Sequence, residues 1–137
     1  MNVDHYEEIT SDGEIIALIV RADFSIREEG ARFFTSPDAS QQVGYLKRKA
    51  KAIIRPHVHH QEKREITQTH ETLIVKKGLL RVDLYTKGGH LVASRTLRRG
   101  DTILLMSGGH GFEMMEDTEL IEIKQGPYLG SADKFYI

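Results

Sequence analysis

With 137 residues, 39% of them hydrophobic and 28% charged, the chain has the make-up of one soluble globular domain rather than of a disordered or fibrous protein. Nineteen Lys and Arg against twenty Asp and Glu leave a formal charge of -1, which removes the broad positive field that sequence-independent nucleic-acid binding relies on. The longest apolar run, Ile15 to Val20, is far short of the ~20 residues of a membrane helix, no basic segment precedes it as in a signal peptide, and the lack of cysteine excludes disulfides and thiolate metal sites.

These observations predict a soluble, cytoplasmic protein with neither nucleic acid nor membrane as a partner. Along the chain, short segments rich in Ile, Val, Leu, Tyr and Phe alternate with glycine-containing turns, the rhythm of an all-β domain. The expected strands run over Ile15 to Val20, Arg32 to Thr35, Gln42 to Ala50, Ala52 to Val58, Thr72 to Lys76, Leu80 to Tyr85, Leu91 to Leu97, Thr102 to Met106 and Glu119 to Gln125. Gly88-Gly89 is a tight hairpin signal between two of them, because glycine supplies positive φ without strain. No window carries the three- and four-residue apolar spacing of a helix. Gln61 to His70, with Ile66 as its one aliphatic residue, reads as a solvated loop or short lid. Pro37, Pro56 and Pro127 sit where a strand should begin, bend or stop. Neither an internal repeat nor an interdomain linker is visible.

Four of the seven histidines fall between positions 57 and 70, in RPHVHHQEKREITQTHE. On a strand, His57 and His59 project to the same side, because side chains alternate between faces. With Glu71 and His110 at strand edges further along, three imidazoles and one carboxylate form a reasonable ligand set. Such nitrogen and oxygen donors suit a divalent transition metal, Fe, Mn, Ni, Co or Zn, and leave positions open for water or substrate. Arg55 shares the parity of His57 and His59, so an inward-facing guanidinium there needs a partner, in the core or on an anionic substrate.

The spacing resembles the two signature motifs of the cupin superfamily. His57-Val58-His59, then Glu71, then TLIVKK and Gly78, resembles the first, with eleven residues between the second His and the Glu and Lys51 where a glycine is expected. Glu65 and His70 are rivals for the carboxylate position, but Glu71 alone keeps the six-residue distance to Gly78. GDTILLMSGGHGF resembles the second motif, with His110 closing the turn and with Met106 and Met114 replacing the usual Pro and Asn. The ending EIKQGPYLGSADKF resembles the tail of the WbuC-like cupin fold metalloproteins. The resemblance implies a single-domain cupin-type jelly-roll β-barrel over 1–137, with core motifs in 51–125 and the N-terminal strands and C-terminal tail packed on it. It also implies a metal site more firmly than a reaction, and a homodimer for which the N-terminal strands could serve.

The function expected on these grounds is a metal-dependent enzyme acting on a small polyhydroxy or keto compound such as a sugar, by isomerase or dioxygenase chemistry. Glu71 and Tyr128 are the candidate catalytic residues; His57, His59, Glu71 and His110 the metal ligands; Arg55 a substrate contact. One alternative is a non-catalytic module that binds or senses a metal or sugar. Another is a metal-free epimerase-like cupin with a His base and a Tyr acid. His5 and His90 are read as surface residues, Lys63, Arg64 and Glu65 as a solvated loop, and His70 as facing away from Glu71.

Overall fold

The computed structural model describes residues 5–137. Among these residues ten strands are formed: β1 (Tyr6–Ser11), β2 (Glu14–Val20), β3 (Gly30–Phe33), β4 (Gly44–Lys47), β5 (Glu71–Lys77), β6 (Leu79–Tyr85), β7 (Leu91–Arg98), β8 (Thr102–Leu105), β9 (Gly109–Met114) and β10 (Glu119–Lys124), followed by a 3-10 turn at Gly130–Ala132. All pairings are antiparallel, in three sheets ordered β1-β2-β8-β5-β10, β7-β6-β9 and β3-β4. The fold is nearly all β, as the alternating pattern requires, and none of the sheets is closed. No helix among the described residues is long and apolar enough to cross a membrane.

The chain divides into two compact units, one formed by the N-terminal stretch to Phe24 together with Gln68–Ile137, the other by Ser25–Thr67. In the first, the five-stranded and three-stranded sheets share one core. β6 shows how: in LLRVDLY, Leu80, Val82 and Leu84 are fully buried while Arg81 and Asp83 take the opposite face. They join Ala17 and Ile19 of β2, Leu73 and Val75 of β5, Leu97 of β7, and Ile103 and Leu105 of β8.

Turns are held by particular residues. Gly78 lies at φ 96 between β5 and β6, where a Cβ would collide with the Asp117 carbonyl oxygen and the Thr118 hydroxyl. The buried Asp101 carboxylate accepts from the Arg98 amide (2.8 Å), the Ala22 amide (2.9 Å) and Arg21 Nη1 (3.1 Å), which ties the β7–β8 turn to the end of β2. Arg95 of β7 donates through Nε to both Glu7 carboxylate oxygens of β1, at 2.9 and 3.0 Å.

The second unit is a β3–β4 hairpin with long irregular arms. Phe33 lies opposite Gly44, its ring occupying the space a Cβ would fill. Gln42 closes the hairpin loop, donating from Nε2 to the Ser36 and Ala39 carbonyls, both at 2.9 Å, and accepting from the Thr35 hydroxyl. This use of Thr35 ends β3 at Phe33, two residues before the expected end of that strand.

Three sequence expectations change here. The strand expected over Ala52 to Val58 does not form: Lys51 takes φ 68, the Ala52 amide turns back to the Lys49 carbonyl at 3.2 Å, and Pro56 offers no N–H to a ladder. β4 is only four residues long for the same reason, the turn at 49–52 cutting it short. Finally, β1 and β9 are strands that apolar content did not signal, YEEITS being polar and GHGFEM rich in glycine.

Candidate functional site

The candidate site is built by register in the first unit. Glu71 opposes Leu105 of β8 and Lys124 of β10, while Leu73 opposes Ile103 and Glu122. Directly opposed residues share a face, so Glu71, Glu122 and Lys124 lie on the face that carries Leu73, Ile103 and Leu105 into the core. In the other sheet, Leu84 opposes His110 and Val82 opposes Phe112, which puts both β9 side chains on the core face of that sheet. Polar groups from two sheets thus meet between them: His110 Nε2 lies 2.9 Å from Glu71 Oε2. The His110 ring also lies 5.3 Å from that of Phe112.

Electrostatics separate the two carboxyls. Glu71 has only 14% of its side chain exposed; its hydrogen bond with His110 holds its pKa below the usual carboxylate value, against the opposing effect of burial, and a bond with Glu122 adds to the lowering. Glu122 is pushed the other way, first by its hydrogen bond to Glu71 and then by burial and by the Glu71 charge. The two shifts run in opposite directions, Glu122 toward keeping a proton and Glu71 toward accepting one. In the neutral imidazole of His110, an Nε2–H donated to Glu71 leaves Nδ1 as the acceptor. Lys124, its pKa raised by the hydrogen bond to Asp133 (3.2 Å), keeps a cation beside the pair, 5.3 Å from the Tyr128 ring centroid.

The remaining expected residues are placed as follows. His110 lies within β9, not in a turn; the turn before it is made at Gly108, with φ 71. His57 and His59 belong to the second unit, with ring centroids 5.2 Å apart and both residues exposed. His57 Nδ1 lies 2.7 Å from the Arg55 carbonyl oxygen, to which it donates. Arg55, expected to face inward from a strand, is exposed, because the strand that would set its parity is absent. Glu65 is exposed in the irregular stretch 60–69. Tyr128 is 75% exposed beyond β10, its ring beside Lys124 Nζ. His70 is buried, not solvated: only 3% is exposed, Nδ1 has no hydrogen-bond partner among the described residues, and desolvation lowers its pKa. Among the described residues, no three His, Asp or Glu side chains form a group able to hold a metal ion.

Glu122 and Lys124 were not singled out from sequence, although a signal existed. ELIEIK places a carboxylate and an ammonium two apart, hence on one face, with Leu120 completing the row. A polar pair where a strand should bury aliphatic residues is the informative observation. The chain matches no family model, no curated protein and no solved structure, and the likeness to cupins remains one of motifs.

Proposed function

We propose that the chain acts on a small polyhydroxy or keto compound by proton transfer, with Glu71, His110 and Glu122 as the working group. The observation that carries this reading is Glu71, held between the His110 imidazole at 2.9 Å and the Glu122 carboxyl on the inner faces of two sheets. Two carboxyls whose surroundings drive their proton affinities apart, one of them orienting an imidazole, are the usual equipment of paired acid and base. In this scheme His110 Nδ1 takes a proton from the carbon beside a carbonyl. Glu122 gives its proton to the carbonyl oxygen, and Lys124 offsets the negative charge that develops there. Glu71 fixes the tautomer and orientation of His110 throughout. Under this reading the stacked sheets are an open form of the cupin-type jelly roll.

A second reading is favoured by one observation: Glu71 and His110, chosen by motif spacing and 39 positions apart, touch. One carboxylate oxygen and one imidazole nitrogen suit a borderline divalent ion such as Fe, Mn, Ni, Co or Zn. Bound there, an ion would supply Lewis acidity toward substrate oxygens.

The test is exchange of carbon-bound protons in D2O, followed by NMR over a panel of sugars and keto acids. Glu71→Gln and His110→Ala are each expected to slow exchange by about 100-fold or more. Exchange unchanged in both variants refutes the reading, and sugar binding without exchange supports a non-catalytic binding module. Stoichiometric metal in the purified protein, lost in His110→Ala, supports the second reading.

A further inference from the structure

The two units present complementary deficits. Residues 53–67 form no backbone-to-backbone hydrogen bond among the described residues, and every one of them is exposed. Yet AIIRPHV has the β-branched, apolar make-up of a strand, with Ile53 84%, Ile54 62% and Val58 92% exposed. Among the described residues, β9 is the edge of its sheet, with β6 on one side and an unpaired ladder on the other. Along that edge Phe112 and Met114, on the core face opposite Val82 and Leu80, are still 38% and 50% exposed. An open strand edge flanked by bare core-facing apolar groups is a template for strand addition.

Charge points the same way. Residues 25–67 hold nine Lys and Arg against five Asp and Glu, whereas the remainder of the chain holds ten against fifteen. The arm includes Lys51 and Arg55, and β9 carries Glu113 and runs into Glu116 and Asp117. Opposite fields steer an arm of one molecule to the sandwich of another.

We propose that two copies of this chain pair by exchanging arms, the segment around Ile53–His59 of each adding as an edge strand to β9 of the other. Pro56 sets which side pairs. Its missing N–H must face away from β9, so Ile53, Arg55 and His57 present their backbone groups to it, and the arm can only be an edge strand. The Arg55 carbonyl, now engaged by the His57 ring, exchanges that contact for a ladder bond. Because each chain has both the arm and the open edge, the exchange is reciprocal and closes at two copies. One consequence concerns the metal: the added strand brings His57 and His59 to β9, the strand of His110. That consequence rests on the metal reading above, whereas the arm exchange does not.

The chain lacks cysteine, so single-cysteine variants report one pair each. Ile53→Cys and Met114→Cys chains are purified separately, mixed, and treated with a short bismaleimide in metal-free buffer. A covalent heterodimer of about twice 15.6 kDa is expected. Light scattering is expected to show a dimer for the natural chain, with a dissociation constant raised at least about tenfold in Arg55→Pro, which loses a pairing N–H, while the thermal unfolding transition persists. A link confined to single chains in the Ile53→Cys/Met114→Cys double variant, no link in the mixture, or an Arg55→Pro dimer as tight as the natural one overturns the exchange. Metal content, assayed separately in the same dimer, bears only on the metal reading.

Discussion

The sandwich unit and the 25–67 unit are built from the same kinds of residue and use them in opposite ways. Leu80, Val82 and Leu84 of β6 are spaced by two and disappear from solvent, because strands on both sides hold β6 in register and a second sheet covers its face. Ile53 and Val58 are as apolar and as strand-prone, yet they stand in solvent, because neither a ladder nor a facing sheet holds them. Apolar content promises burial only where backbone partners fix which way a side chain points. Polar groups show the same contrast. Asp101 takes three donors in the sandwich, while Glu62, Glu65 and Lys63 are exposed in the irregular stretch.

Substitutions sharpen that contrast, beginning with the core. Leu84→Ala is expected to lower the unfolding free energy in urea by about 2–5 kcal/mol, through lost burial and the cavity left behind. Asp101→Ala should follow at about 2–3 kcal/mol, since it strands two backbone amides and a largely buried guanidinium. A loss under about 0.5 kcal/mol would show that the β7–β8 turn does not depend on it. His70→Leu is expected to raise the same free energy by up to about 1 kcal/mol, because it removes a buried nitrogen that has no partner; destabilisation would mean that a water or ligand satisfies it. Val58→Ala, measured at concentrations where the chain is monomeric, should change stability by less than about 0.5 kcal/mol, and a core-sized loss would erase the contrast.

The smallest effect is a pH dependence. Asp23 is held below its ordinary value of 3.8 chiefly by the hydrogen bond with His5, 2.8 Å away. A carboxyl lowered on folding stabilises the folded state above its unfolded pKa, and that contribution fades as the pH falls through the lower folded value. His5→Ala should therefore trim stability slightly at pH 5 and leave it unchanged at the lowest pH where the fold survives. Urea midpoints across that range check it, and equal differences at both ends would remove Asp23 as the cause.

Eight of the nine expected strands are found in whole or in part, because alternation and glycine turns are local properties. Gly78, Gly88-Gly89 and Gly100 could be read without knowing the fold, since positive φ at Gly78, Gly89 and Gly100 is what the chain needs there. β9 is hidden in the sequence because a strand whose core face carries His110 does not look apolar, and β1 because Glu7 and Glu8 precede its one buried aliphatic, Ile9. The Ala52 to Val58 segment differs from expectation for the converse reason: its composition suits a sheet, but its chain supplies no ladder.

By itself the sequence determined the β character of the chain, its main turns, and Glu71 and His110 as residues of interest, since all three follow from side-chain type and short-range spacing. Only the tertiary structure decided that Glu71 and His110 touch, that Glu122 and Lys124 stand beside them, and that His57 and His59 lie on an irregular exposed arm. The physical reason is register. Which residues of distant strands oppose one another depends on the whole set of ladder bonds and on the shared core, and no local run of residues contains that information.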